Sequence, residues 1–254
     1  MVAGSNPASG ATSKLHKLNL RYVIIIKKVY KIYKIELINV VWILLPITFV
    51  FYYYIKFTDD FRTIPLALVR MVSQLLLIGY LLVFIFNSNS SYIVLLTLFV
   101  MITFASIISL RPLQKRAKNL YIHSFISILI GGGISLVLVL FGVLEVKSWY
   151  EPKVLIPLAG MVFSNSMNAL SLFLKSFNDS QNLSESIKTA LIPTINSFFA
   201  VGLVSLPGMM TGQILSGIDP LIAVRYQIMI MLMVLSSSGV SIIVFIKLSG
   251  LKKD

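Results

Sequence analysis

The sequence predicts an all-α, polytopic transmembrane helical bundle of about seven spans, with the N-terminus outside and the C-terminus cytoplasmic. Three observations carry that prediction. Hydrophobic residues make up 57% of the 254-residue chain and charged residues only 12%, far less charge than a soluble domain needs to stay hydrated. The apolar runs are long and unbroken, not alternating. In lipid each span must satisfy its own backbone hydrogen bonds, so such runs select helices over a closed barrel. The short loops also differ sharply in basic charge, and that asymmetry orients the bundle.

Composition excludes several functions. The chain has no cysteine, which removes disulfides, thiolate metal sites and thiol nucleophiles. Its two histidines, His16 and His123, are too few for a histidine-based metal or catalytic centre. The net charge of +13 would suit a nucleic-acid partner, but membrane proteins gather Lys and Arg on cytoplasmic loops, and no nucleic acid is expected. No G-x-x-x-x-G-K-[ST] phosphate loop is present, so ATP hydrolysis would have to come from another protein.

Residues 1–36 stand apart from the rest. They hold seven basic residues and one acid, a net of +6. The run Gly4-Ser5-Asn6-Pro7 is what the T-arm consensus of a transfer-RNA gene spells when translated, and 21–34 reads like AT-rich spacer. This stretch is expected to be a mis-called or disordered extension. It carries no signal-peptide pattern, although the next methionine is Met71. The transmembrane domain then covers 37–246, with a basic cytoplasmic tail at 247–254.

The spans are predicted at 37–55, 64–86, 92–110, 124–144, 154–173, 190–206 and 228–245, each near the length that crosses the hydrocarbon core. Loop 87–91 is uncharged, whereas loop 111–118 carries Arg111, Lys115, Arg116 and Lys118, and the tail carries Lys247, Lys252 and Lys253. Positive charge therefore places loop 111–118 and the tail in the cytoplasm. An odd number of spans puts the start of the first outside, where the basic run 27–34 would be on the wrong side. Two places depart from simple spans. Gly131-Gly132-Gly133 falls inside the fourth, where small residues let helices approach closely. Pro207-Gly208 ends the sixth early, and 209–226 is semi-apolar and interrupted by Gly212, Gly217 and Pro220. That stretch reads either as a re-entrant segment lining a pathway or as an external loop.

Several phrases then form a pattern: Ile156-Pro157-Leu158-Ala159-Gly160-Met161, Asn165-Ser166-Met167-Asn168, Leu191-Ile192-Pro193-Thr194-Ile195-Asn196, and above all Leu206-Pro207-Gly208-Met209-Met210-Thr211-Gly212-Gln213. With Arg70, Gln74, Gly79 and Tyr80 in the second span and Tyr226-Gln227 before the last, they resemble the FetB (YbbM-like) family of ABC-transporter permeases over about 37–246. The resemblance implies a seven-span permease in the bacterial inner membrane, acting as a homodimer with a separate cytosolic ABC ATPase subunit and without a cofactor. Its implied role is export of a metal ion such as iron. Plant relatives suggest instead an organic solute such as a nucleotide sugar. In one place the chain departs from the family. The family's longer cytoplasmic stretch between the fifth and sixth spans, with an acidic helix and a Leu-Gly-Ala phrase, is reduced here to 175–188. Either a shorter element couples to the ATPase, or the chain is a non-transporting membrane remnant.

Candidate pathway residues follow from polarity at membrane depth. Asn165, Asn168 and Asn196 are amides in apolar spans, and each must face protein or water. Asn165 and Asn168, three apart, share a helix face. They read either as hydrogen-bonding glue between helices or as the lining of a route for polar cargo. Met209, Met210 and Gln213, in the interrupted segment, are the other candidates. Met161, Met167, Met229, Met231 and Met233 could be imagined as a soft-metal relay, but apolar packing is the expected role of the methionines. The acids beyond the first span, among them Glu145, Glu151, Asp179 and Asp219, sit at span ends or in loops. A mid-membrane proton relay therefore has no carrier.

Overall fold

A computed structural model describes residues 37–88, 90–113 and 117–251. The extension 1–36 lies outside the described residues, as do Lys115, Arg116, Lys252 and Lys253. Every regular element among the described residues is helical. A 3-10 segment, Leu37–Ile43, leads into α1 (Leu44–Thr58), followed by α2 (Thr63–Asn87) and α3 (Ser91–Ser109). Helix α4 (Lys118–Val137) widens into a π-helical turn over Leu138–Val143. Then come α5 (Pro152–Ser180), α6 (Leu183–Ala200), the short α7 (Gly208–Leu215) and α8 (Pro220–Leu248).

The chain divides into two compact units, Met1–Ile78 and Gly79–Asp254. In the first, α1 turns into α2 around Asp59, in the left-handed region at φ 53°, and Asp60. The Asp60 carboxylate accepts from the backbone N–H groups of Arg62 and Thr63, each at 3.1 Å, and from the Tyr54 hydroxyl at 3.2 Å. Its bonds with Thr63, joined by those with the Arg62 N–H and the Tyr54 hydroxyl, lower its pKa from 3.8 to about 2. A depressed carboxylate supports the fold above its unfolded pKa and loses that support as pH falls through the folded one. Amide exchange at Arg62 and Thr63 should therefore stay slow above pH ~4 and quicken as pH drops toward 2. In Asp60→Ala it should be fast throughout, and unchanged protection in that variant would show that the carboxylate does not hold the turn.

The second unit carries the core. Helices α4 and α8 run antiparallel: His123 Nδ1 lies 3.1 Å from Ser249 Oγ, and Ser135 donates to Ser236 Oγ at 3.2 Å. The seam between them is built from small residues. Gly131 lies against the Ser237 carbonyl and the Ser241 backbone of α8, while Gly132 meets Phe163 and Val162 of α5. Gly133 faces open space. The expected packing role of the triplet thus belongs to its first two members. Ser109 and Ser124 hydroxyls meet at 2.7 Å where α3 passes α4, so polar groups at these crossings are paired inside the bundle, as lipid demands. Phe173 and Phe245, both fully buried, meet edge to face with ring centres 6.2 Å apart and join α5 to α8.

Six helices are long and apolar enough to cross a membrane: Val41–Thr58, Thr63–Asn87, Ser91–Ser109, Lys118–Val143, Pro152–Ser180 and Pro220–Leu248. The sixth predicted span is not among them. Instead of 190–206, its helix covers Leu183–Ala200 and includes Glu185 and Lys188. A capping arrangement sets the earlier start. Asn182 Oδ1 accepts from the Glu185 N–H at 3.0 Å, and that N-cap lies just after Gln181, whose φ of 53° ends α5. The last span also starts early, at Pro220, because Asp219 accepts from the Leu221 N–H at 2.8 Å and proline is pre-organised for a first helical position. Residues 201–207 are non-helical, and 209–226 resolves into α7, a turn at Gly217 with φ 89°, and the first turns of α8. At eight residues, about 12 Å, α7 is too short to cross a bilayer and packs on α8 instead.

Candidate functional site

Helices α5, α6 and α8 enclose a cleft of about 270 Å³. Asn165 and Asn168 of α5 line it, as do Thr194 and Ser197 of α6 and Met231 of α8. Two physical features put polar groups here. On α5, three-residue spacing brings both asparagines to one face, opposite the buried face that holds Val162, Ser166 and Phe173. On α6, Pro193 lacks the N–H that the Thr189 carbonyl would normally receive, so the helix is weakened beside the cleft. The Asn165 amide nitrogen donates to the Met161 carbonyl at 2.7 Å, which holds its side chain on its own helix and does not tie it to a neighbour. Asn168 is exposed. No acidic, basic or histidine side chain lines the cleft, so its chemistry is that of neutral amide and hydroxyl groups.

A second cleft, of about 350 Å³, follows along α8. Its walls come from the end of α6, the 201–206 loop, Met210 of α7 and, on α8, Gln227 and Met231. Phe198 and Met231 line both clefts.

The predicted site residues separate accordingly. Asn165 and Asn168 come together in the first cleft, and Met210 lines the second. Asn196 is exposed and lines neither, because Thr194 and Ser197 occupy the inward face of α6. Met209 packs against the core and lines a separate pocket with Lys153 and Tyr226. Gln213 is half-buried outside both clefts, and its Oε1 is enclosed without a hydrogen-bond partner. Met229 and Met233 belong to the core, and Met161 and Met167 pack against it, so most methionines serve packing. Thr194, Ser197, Phe198 and Gln227 were not singled out from the sequence. The 3.6-residue phase of Pro193, Thr194 and Ser197 held the signal for two of them, but the predicted span began too late to fix which face turned inward. Among the described residues no group of three or more His, Asp or Glu converges as a metal site.

The chain is 38% identical over 202 residues to the probable iron export permease protein FetB of Escherichia coli, covering 69% of this chain and 75% of that one. It is 36% identical over 197 residues to a UPF0014 membrane protein of Synechocystis, covering 68% and 76%. To the protein ALUMINUM SENSITIVE 3 of Arabidopsis thaliana it is 33% identical over 197 residues, covering 68% and 70%. No solved structure matches. The profile of the uncharacterised protein family UPF0014 matches in two pieces, 36–185 and 180–252, which meet at the α5–α6 connection. That is the connection shortened to Gln181 and Asn182 between helices. By a profile match over most of its length, and by its relatives, this multi-pass membrane protein belongs to the UPF0014 family.

Proposed function

We propose that the chain is the membrane-spanning permease subunit of an ABC transporter. In this reading it exports a metal cation such as iron, and two copies work with a separate cytosolic ATPase. It is not itself an enzyme. The observation that carries the cargo is the charge of the route. Neither cleft has a basic side chain among its lining residues. A nucleotide sugar brings two phosphates, which proteins hold with Arg, Lys or helix N-termini. At about 270 and 350 Å³ the clefts also lie at the small end of sites for organic ligands. Neutral oxygen donors suit a small cation in transit, since a conduction site must bind weakly enough to release. The E. coli relative, named a probable iron export permease, supports the same reading.

Seven spans with a cytoplasmic C-terminus fit this role if α6 is counted as the sixth. The His123–Ser249 contact puts the start of α4, next to the basic loop 111–118, at the same end of the bundle as the basic end of α8. Positive charge then assigns that end to the cytoplasm. Helix α5, at 29 residues or about 43 Å, exceeds the ~30 Å hydrocarbon core. Its surplus turns and the start of α6 form a polar hairpin tip carrying Lys175, Asp179, Asn182, Glu185 and Lys188, with a Lys175–Asp179 bridge at 2.8 Å. This tip stands where the family's longer coupling stretch would be, and it is the element proposed to grip the ATPase.

A deletion strain under peroxide should accumulate iron, and re-expression should reverse the gain; unchanged iron would overturn the metal assignment. The shortened connection supports a second reading, a membrane remnant without an ATPase. Co-purification with the product of a neighbouring ATPase gene decides between them. Retention that is lost on reversing the charges of Lys175, Glu185 and Lys188 supports coupling through the tip, and no retention by the unaltered chain supports the remnant.

A further inference from the structure

We infer that Gln227 is a cargo-contacting residue of a second chamber on the same route, where a metal cation meets one amide oxygen flanked by the thioethers of Met210 and Met231. This rests on the transport reading above. Gln227 is only 6% exposed, and its Oε1 is enclosed without a hydrogen-bond partner. Leaving a buried amide oxygen unpaired costs about 1–3 kcal/mol, so an orphan of this kind calls for a reason. Its surroundings supply no protein donor. The cleft it lines is otherwise apolar apart from sulfur, with Val201, Leu206 and Val224 among its walls.

The position along the helix connects it to the first cleft. Val234 and Met231 line the first cleft, and Met231, Gln227 and Val224 line the second. These four residues, at spacings of three and four, form one continuous stripe on α8. Phe198 and Met231 belong to both chambers and form the wall between them. A cation leaving Asn165 and Asn168 past that wall would next meet Gln227 Oε1 and two sulfurs. All three donors are neutral, so they can replace part of a hydration shell without trapping the ion as a carboxylate would. Thioethers favour softer ions, and hard Mg²⁺ keeps its water and prefers carboxylate or carbonyl oxygen. The chamber should therefore accept Fe(II) in preference to Mg(II).

The test uses the full chain in lipid nanodiscs, without oxygen, with Fe(II) as the probe and Mg(II) as competitor. The unaltered chain should bind Fe(II) and hold it against excess Mg(II). Gln227→Leu should weaken Fe(II) binding at least tenfold while Asn196→Leu leaves it unchanged. Gln227→Glu keeps the side-chain volume, adds a hard charged oxygen, and should bind more tightly and become sensitive to Mg(II). If the unaltered chain binds no Fe(II), both this inference and the metal cargo fail. If it binds but Gln227→Leu binds equally, only this inference fails. Should Gln227→Leu not fold, unchanged affinity and selectivity in Gln227→Glu overturns it instead.

Discussion

Alanine at Gly131 is expected to lower the thermal midpoint of the detergent-solubilised protein by several degrees, while alanine at Gly133, two residues on, leaves it unchanged or slightly raised. Both substitutions relieve the same helix-propensity penalty of about 1 kcal/mol. They differ in what the new Cβ meets. At Gly131 it would stand 2.7 Å from the Ser241 backbone nitrogen and 2.8 Å from the Ser237 carbonyl oxygen, and would also strike Ser241 Oγ. A hydroxyl can rotate away, but the α8 backbone cannot, so α4 must move off α8. Overpacking of this kind costs about 1–3 kcal/mol, which for a chain of this size corresponds to roughly 5 °C. Leucine at Gly131 should abolish the monodisperse protein altogether. At Gly133 nothing lies within 4 Å, so a methyl group meets only lipid. Equal midpoints for the two alanine variants would refute the claim that the α4–α8 seam depends on backbone approach at Gly131.

Replacing Asn165 and Asn168 together by leucine should reduce export at least tenfold, about 1.4 kcal/mol in the transport barrier, with membrane insertion intact. Insertion survives because leucine is among the residues most favourable at the centre of a span. Stability should survive because neither amide is recorded bridging to a second helix; the one bond found, from Asn165 to the Met161 carbonyl at 2.7 Å, stays within α5. What is lost is the pair of amides on one wall of the cleft, leaving Thr194 and Ser197 on the other. The matched control is Asn196→Leu, which changes the same residue type outside the cleft and should leave export normal. Iron efflux from preloaded cells reads both variants. Normal efflux with two leucines would remove these asparagines from the route and return them to a packing role.

The asparagines show how far polarity carries a reading of a membrane sequence. An amide in an apolar run must face protein or water, and from that rule all three were equally good candidates. Choosing among them required the rotational phase of each helix. Within α5 the phase was legible, because Val162, Ser166 and Phe173 mark the buried side and place Asn165 and Asn168 opposite. In α6 it was not. The cap formed by Asn182 and Glu185 starts that helix seven residues before its apolar run, and Asn196 falls outside the cleft. Methionines posed the converse problem: identical side chains at Met229, Met231 and Met233 divide between core and cleft by helix phase alone.

By itself the sequence determined the solvent. Its long apolar runs, scarce charge and absent cysteine leave lipid as the medium, helices as the only economical backbone, and loops as the place for Lys and Arg. Those are properties of local composition, so they can be read without knowing any contact. Tertiary structure alone decided which faces meet. It set Gly131 against the α8 backbone, joined Asn165 and Asn168 to Thr194 and Ser197, and left Gln227 enclosed without a partner. The reason is that lipid is nearly as apolar as leucine. Hydropathy therefore cannot tell a side chain facing acyl chains from one facing a neighbouring helix, and only close packing and paired polar groups separate the two.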